Sequence, residues 1–450
     1  MKLFFYCQKI NFLRVYSTII NEALNRNHLI EIYIDQNNIE NSVDIEDIKE
    51  KLAKKYLNNK NLVLRTFKTN QQLINHLEFD TDIDFYILIY PMKFLSDKKI
   101  INKVSNKVVF IMSGMETVGT YMHWNLLYKN NSLDFHTYKK YLFTWTTNFL
   151  NGQINAVNTY GNKLERENIK YLDKVTLEKI PVGFNEIDSH IKNYDKNLIR
   201  QEFNIGINKE ILVYLPYPIS LNKPHKSWQS AYSGIFLNFE KEDRNFLINF
   251  IISLIKKVVV IFFALSRPTS LFWVLKGYNE KNMIKSIRKF CDKNKILFVI
   301  KRRNKHRLID EAYKSADLII EDNNNVYPTN YQKLLRISKL VLGYHSAAVF
   351  EAVKMDVPYL NIESPIGHFQ SILVKNMFSA KKDNLFNFSG IVWNHKIKYL
   401  LNNLQNMCIG DFKIESEKQN KYIEKYLNKD NNSLDILFNK LQEIKNEYSQ

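Results

Sequence analysis

The stretch KLVLGYHSAAVFEAVKMDVPYLN, residues 339–361, decides how the chain is read. An apolar run, Leu340 to Leu342, stops at Gly343, and a polar kink, Tyr344-His345-Ser346, follows. A helical pattern runs from Ala347 to about Met355, and a new apolar run starts at Val357. Strand, tight turn, helix and strand again form the repeating unit of a parallel sheet. Gly343 predicts a backbone that can turn and let a ligand approach closely. Ser346 is a good N-cap, and the small Ala347 and Ala348 keep the first-turn N–H groups accessible. Such a helix start suits an anion, and a diphosphate in particular. Glu351, one turn in, is expected to face that ligand, and His345 at the strand end is a candidate for catalysis.

The same alternation extends in both directions. Strand-like runs occur at 3–7, 29–35, 62–67, 85–91 and 108–114, with helical patterns at 12–27 and 44–57. Residues 121–170 read as helices and loops, and a short strand, VTLEKI, leads into KIPVGFNEID at 179–188. A second alternation follows, with strands at 210–218, 258–267, 296–303, 317–323, 340–343 and 357–362. Its helices include 280–294 and 330–338, and the tail from about 396 is helical and charged. Near-continuous apolar strands alternating with helices predict α/β domains with helices on both faces of a parallel sheet. The expected organisation is an N-terminal domain over 1–184, a second over 185–395, and a helical tail over 396–450. Ligands of such sheets bind beyond the carboxyl ends of the strands, which places the expected site in a cleft between the two domains.

Composition narrows the function classes. At 450 residues and 45% hydrophobic content the chain can build two or three domains, and its scarce Gly and Pro exclude fibrous and disordered classes. The formal net charge of +18 favours partners bearing phosphate, or an anionic membrane surface. The basic residues are spread along the chain, which argues against a nucleic-acid-binding arm. Cys7, Cys291 and Cys408 are too far apart and too few for a disulfide framework, so a reducing, cytoplasmic setting is expected. The start, MKLFFYCQKINF, reads as a first strand and not as a signal peptide. The most apolar stretch, FLINFIISLIKKVVVIFFALS at 246–266, is interrupted by Lys256 and Lys257. It falls short of the roughly 20 uncharged residues of a spanning helix and reads as a buried helix followed by a buried strand. Asp80, Asp82 and Asp84 precede a strand and read as a solvated loop. HExxH, P-loop and GxGxxG patterns are absent.

The order of strand, polar turn, Ser, small residues, Glu351-Ala352 and a strand opening at Pro358 resembles the donor-site segment of GT-B glycosyltransferases. It is similar in particular to the surface-polysaccharide and CDP-glycerol glycerophosphotransferase-like groups. IPVGFNEID, with Gly183 and Asp188, resembles their interdomain segment, and KEILVYLPYP (209–218) resembles the strand that follows it. ILFVIKRRNKH (296–306) stands where those groups have a strand ending in Lys-Pro-His-Pro; here the residues are Lys301-Arg302-Arg303-Asn304, with His306 displaced. The resemblance covers roughly residues 175–365. It implies two facing doubly wound, Rossmann-like domains. It also implies metal-independent transfer from a nucleotide-activated sugar to a glycan or lipid-linked acceptor, with no resident cofactor.

That chemistry assigns roles. A leaving diphosphate gains charge in the transition state and needs fixed cations and N–H dipoles. Arg302, Arg303 and His306 are the candidates, with Gly343, Ser346, Ala347, Ala348 and Glu351 around the donor and His345 beside the reacting centre. A base for the acceptor hydroxyl is expected on the loop after strand 108–114, where Glu116 comes first and His123 second. The basic, aromatic loop 220–236 could hold the acceptor. Two other readings stay open: a transferase of polyol phosphate from CDP-glycerol or CDP-ribitol, and a non-catalytic basic binding protein. The charge also allows peripheral attachment at the cytoplasmic face of a membrane.

Overall fold

The computed structural model describes residues 1–7, 11–36, 59–79, 82–89, 98–104, 107–112, 140–160, 163–172, 177–187, 189–216, 251, 254–255, 258, 280–302, 308–321, 328–344, 346–363, 384–428 and 432–448. The chain divides into two compact units. One comprises Met1–Asn193, Asn323–Thr329 and Asn420–Gln450; the other comprises Tyr194–Asp322 and Asn330–Gln419.

The first unit is built on a seven-stranded sheet. Its strands are β1 (Lys2–Cys7), β2 (Leu29–Asp35), β3 (Leu62–Phe67), β4 (Phe85–Leu88), β5 (Val108–Ile111), β6 (Lys140–Thr144) and β7 (Leu177–Pro181). The order is β3-β2-β1-β4-β5-β6-β7, parallel throughout. Helices α1 (Asn11–Asn25), α2 (Asn70–Phe79), α3 (Lys98–Val104), α4 (Thr147–Tyr160) and α5 (Lys163–Leu172) lie between strands. The strands predicted from apolar runs are present, while β6 falls within the segment read as helices and loops. It is a five-residue strand between β5 and the edge strand β7, KYLFT, buried along its length and opened by Lys140. A run so short, between a basic pair and Trp-Thr-Thr, has no legible period.

In the second unit, α6 (Lys196–Glu202) precedes β8 (Ile211–Leu215). There follow α7 (Glu280–Asn294), β9 (Leu297–Arg302), α8 (Asp310–Ser315), β10 (Leu318–Glu321), α9 (Asn330–Leu335), β11 (Ser338–Gly343), α10 (Ala348–Lys354), β12 (Tyr359–Glu363), β13 (Val392–Lys396) and α11 (Ile397–Asn403). The sheet order is β10-β9-β8-β11-β12-β13, again parallel. Leu212, Tyr214, Phe298, Ile300, Leu340, Leu342, Leu360 and Ile362 join α7 and α11 in one core. Alternation along a strand sends their neighbours, such as Lys301 and Gly343, to the other face, where α9 and α10 pack. The chain ends with α12 (Ser416–Tyr426) and α13 (Ser433–Tyr448). Leu437, Phe438, Leu441 and Ile444 of α13 enter the core of the first unit beside α1.

Gly183, just past β7, has φ +90°, and a Cβ there would overlap the Ser433 hydroxyl at the start of α13. Only glycine meets both demands, the left-handed backbone and the close approach.

The stretch 246–266 is expected to hold a buried helix and then a buried strand from 258; at its described residues the helix is present but not buried. Ile251, Leu254, Ile255 and Val258 are helical and about half exposed. Their spacing of three, one and three is the period of one helix face, not of a strand. The rest of the strand expected at 258–267 and the helix expected at 44–57 lie outside the described residues.

Candidate functional site

In an open parallel sheet the ligand crevice opens where the strand order reverses. In the first unit that point lies between β1 and β4. It is bridged from within by the fully buried Tyr16 of α1. Its hydroxyl is shared between the carbonyls of Tyr6 (3.1 Å) and Ile87 (3.3 Å) and accepts from the Ile89 N–H at 3.1 Å. Burial pushes this phenol far above its ordinary pKa, so it stays a neutral donor. The lack of a Gly-rich loop after β1 has its counterpart here: a side chain, not a turn of glycines, closes the reversal point.

In the second unit the reversal lies between β8 and β11, where Leu215 pairs with Gly343. The chain leaves β11 at this crevice and enters α10 through Tyr344–Ala347. Gly343 has no left-handed φ, so its backbone needs no glycine; its surroundings do. A Cβ there would overlap the Tyr359 hydroxyl, and would lie 3.2 Å from Tyr359 Cζ and 3.3 Å from Leu215 Cβ. Tyr359, fully buried, passes beneath Gly343 and donates to the Tyr344 carbonyl at 2.8 Å, which fixes the start of the turn.

Ser346 and Ala347 are partly exposed. The Ser346 hydroxyl accepts from the Ala348 N–H at 3.3 Å, and the Ser346 and Ala347 carbonyls accept from Val349 and Phe350. No partner for the Ala347 N–H is found among the described residues. Glu351 is 1% exposed and packs within the unit beneath α10. On the next strand pair, the Asn361 amide donates to Asn394 Oδ1 at 2.6 Å, and the Asn394 amide donates to Glu363 at 2.9 Å. This polar ladder continues the same edge of the sheet, since Gly343 pairs with Asn361 and Asn361 with Asn394.

The basic end of β9 splits between the two faces. Arg302 pairs with Glu321 of β10 at 2.5 Å and donates to the Tyr313 hydroxyl of α8 at 3.3 Å. Lys301 takes the opposite face and is 8% exposed, with its ammonium 6.0 Å from the Tyr331 ring centre. Tyr331, on α9, donates to the Ala348 carbonyl at 2.9 Å. Lys301 and Tyr331 therefore belong to the surroundings of the α10 start, although the sequence reading put neither there. The available signal was parity. Phe298 and Ile300 belong to the α7 core, so a lysine one position off that series must lie on the face of α9 and α10.

The structure thus brings Gly343, Ser346, Ala347, Ala348 and Glu351 into one strand–turn–helix, with Arg302 two strands away on the other face. Glu116, His123, Arg303, His306 and His345 lie outside the described residues, as do Asp80 and the loop 220–236. Asp84 is held by the Lys2 N–H (2.8 Å) and the Lys445 ammonium (2.9 Å). Burial alone would raise its pKa, but these donors outweigh burial and hold it below the usual range. Among the described residues no group of three or more His, Cys, Asp or Glu side chains is placed to hold a metal ion. The buried Lys301 ammonium thus shares the surroundings of the α10 start with the buried Glu351 carboxylate of that helix's first turn.

No protein-family model matches the chain, and no curated protein matches it in sequence. Solved structures do match in fold. Arabidopsis thaliana UGT89C1 complexed with UDP aligns with a TM-score of 0.51 and 9% identity, over 99% of this chain and 99% of that one. A variant of the wall teichoic acid polymerase TagF aligns with a TM-score of 0.51 and 10% identity, over 100% of this chain and 89% of that one. At such identity the likeness is one of fold, and it bears out the resemblance to GT-B glycosyltransferases at that level: two Rossmann-like α/β domains.

Proposed function

We propose that the chain is a metal-independent glycosyltransferase that moves a sugar from a nucleotide-activated donor to a hydroxyl acceptor in surface glycan synthesis. The nucleotide diphosphate would sit at the reversal point of the second sheet. The observation that carries this reading is the junction of β8, β11 and α10, where Gly343, Ser346 and Ala347 lie at the reversal of that sheet's strand order, the place where such sheets take ligands. The fold likeness supports it, since UGT89C1 is complexed with UDP and TagF is a polymerase of a wall polymer.

In the proposed reaction the bond from the anomeric carbon to the diphosphate breaks as the acceptor oxygen attacks, and the acceptor proton passes to a base. Glu116 is the first candidate for that base and His123 the second. Charge growing on the leaving diphosphate is met by the Ser346–Ala348 helix start and by Lys301, with Arg303, His306 and His345 in adjoining segments. Arg302, two strands away on the other face and paired with Glu321, stands apart from this group. A basic surface is consistent with work beside an anionic membrane carrying a lipid-linked acceptor.

Isothermal titration with UDP, CDP, GDP and CMP-linked donors tests the reading. Binding by one nucleotide, weakened at least about tenfold (about 1.4 kcal/mol) in a His345→Ala, Ser346→Ala variant, is expected. No binding by any nucleotide, or binding untouched by that variant, refutes it.

A further inference from the structure

Strand β12, YLNIE, breaks the rule of its neighbours. A parallel strand covered on both faces is apolar, yet Asn361 stands in its middle and is fully buried. Leu360 and Ile362 lie in the α7 core and Trp393 packs against it, so Asn361, Glu363 and Asn394 share the opposite face. Pairing sets their place. Ile300 pairs with Tyr214, so Lys301 stands beside Leu215; Leu215 pairs with Gly343, Gly343 with Asn361 and Asn361 with Asn394. Across the carboxyl edge the row reads Lys301, Leu215, Gly343, Asn361, Asn394. At about 4.8 Å per strand, the two amides lie one and two strands past Gly343, on the side away from Lys301.

The bonds along this row have a direction. A carboxylate only accepts, so Asn394 turns its amide nitrogen to Glu363, at 2.9 Å. Its oxygen then faces Asn361, whose nitrogen donates to it at 2.6 Å. The buried Asn361 anchors Asn394, and Asn394 braces Glu363. Asn394 and Glu363 are partly exposed, and Glu363 ends β12 at the edge where such sheets take ligands. Lys396, in register with Glu363, is exposed to solvent, where its charge is screened. A carboxylate held in this way offers fixed oxygens that accept several donors.

We infer that Glu363 reads the sugar of the donor by accepting from its hydroxyls, with Asn394 and Asn361 as positioning residues. The inference rests on the transferase reading: with the diphosphate at the turn after Gly343 and Lys301 to one side, the sugar extends over β12 and β13. It commits the sugar to a class. Hydroxyls give a carboxylate hydrogen bonds, whereas a sugar bearing its own carboxylate is repelled, so neutral sugars are taken and uronates rejected.

The test is isothermal titration of the full chain with UDP, GDP and CDP, and with UDP-glucose, UDP-glucuronate, GDP-mannose, GDP-mannuronate and CDP-glucose. On the nucleotide that binds, the neutral sugar is expected to bind at least about tenfold more tightly than the uronate or, for CDP, than CDP itself. Glu363→Leu should erase that preference and Asn361→Leu should reduce it at least about threefold, while the nucleoside diphosphate keeps its affinity within about twofold. Should Asn361→Leu disturb folding, Glu363→Gln, at the partly exposed end of the row, reads the charge alone: the uronate gains and the neutral sugar holds. A preference unchanged in Glu363→Leu, or a wild type that prefers no sugar, overturns the inference and leaves the donor seat standing. Equal loss of nucleoside diphosphate and sugar affinity in Glu363→Leu overturns it too, because the row would then only hold the turn. No binding by any of the three nucleoside diphosphates refutes the transferase reading, and this inference with it.

Discussion

Replacing Gly343 by Ala should destabilise the second unit by about 2–4 kcal/mol. The added methyl would overlap the Tyr359 hydroxyl and crowd Leu215 Cβ at 3.3 Å. Tyr359 is fully buried and ends in a 2.8 Å hydrogen bond to the Tyr344 carbonyl, so it cannot swing away freely. Overpacking of a tight core costs roughly 1–3 kcal/mol. Displacing the hydroxyl leaves a buried carbonyl short of its donor, at about 1 kcal/mol or more. The conformational entropy that the unfolded chain loses when Gly becomes Ala, worth about 0.4–1 kcal/mol to the folded state, offsets part of this. For a unit of this size the loss corresponds to a drop in melting temperature on the order of 5–15 °C. The assay is thermal unfolding in a double-mutant cycle with Tyr359→Phe. Removing the hydroxyl removes the worst overlap, so the two changes should be less than additive by about 1 kcal/mol. A Gly343→Ala protein of unchanged stability that has lost nucleotide binding would refute the reasoning. It would show instead that the glycine serves the approach of a ligand.

The first unit supplies three more tests. Burial beside the Met1 ammonium, with Arg26 and Lys445 adding to it, lowers His28 from its ordinary 6.5 to about 4. Between those values the unfolded chain binds the extra proton, so stability should fall as pH drops from about 6.5 toward 4, and His28→Gln should flatten that part of a melting-temperature profile. Burial likewise lowers Lys140 from 10.5 to about 7, so stability should rise between those values, and Lys140→Met should raise the melting temperature at pH 7 and lose its advantage near pH 10. Arg14 meets the buried Glu186 carboxylate at 2.8 Å; Arg14→Met should cost roughly 3 kcal/mol in urea unfolding, and a Glu186→Leu partner change should recover much of it.

The apolar strands and their helices were legible because a parallel strand covered on both faces has nowhere to put polar residues. β6 was not, since Lys140 opens it and its burial depends on β5 and β7, far away in sequence. β13, VWNHK, was missed for a related reason: its polar residues serve the edge, where Asn394 binds Asn361 and Glu363. The docking of α13 on α1 has a local mark in the apolar stripe Leu437, Phe438, Leu441 and Ile444, but its partner does not; Gly183, whose missing side chain makes room for Ser433, is part of that fit. At the site, the turn from Gly343 to Ala348 was readable from residue types. The split of Lys301 and Arg302 between two faces needed the parity of β9, which becomes clear once Phe298 and Ile300 are known to share the α7 core.

The two sheets share one pattern, three strands running back and the rest running forward from a reversal point, yet they treat that point differently. In the first, Tyr16 spans the ends of β1 and β4 with one hydroxyl and satisfies groups that a ligand or water would otherwise meet. In the second, a tyrosine also enters, but Tyr359 stops beneath Gly343 and holds the carbonyl of Tyr344. Its hydrogen bond braces the turn from below and leaves Ser346 and Ala347 partly exposed above it. The same residue type therefore closes one crevice and shapes the floor of the other. That contrast, more than the helix start alone, is why the second unit is the one expected to take the nucleotide. It also gives the Tyr16→Phe variant a clear outcome: loss of stability in the first unit, about 1–3 kcal/mol from buried groups left unpaired, with nucleotide affinity unchanged. Loss of nucleotide affinity at unchanged stability would move the donor site to the first sheet.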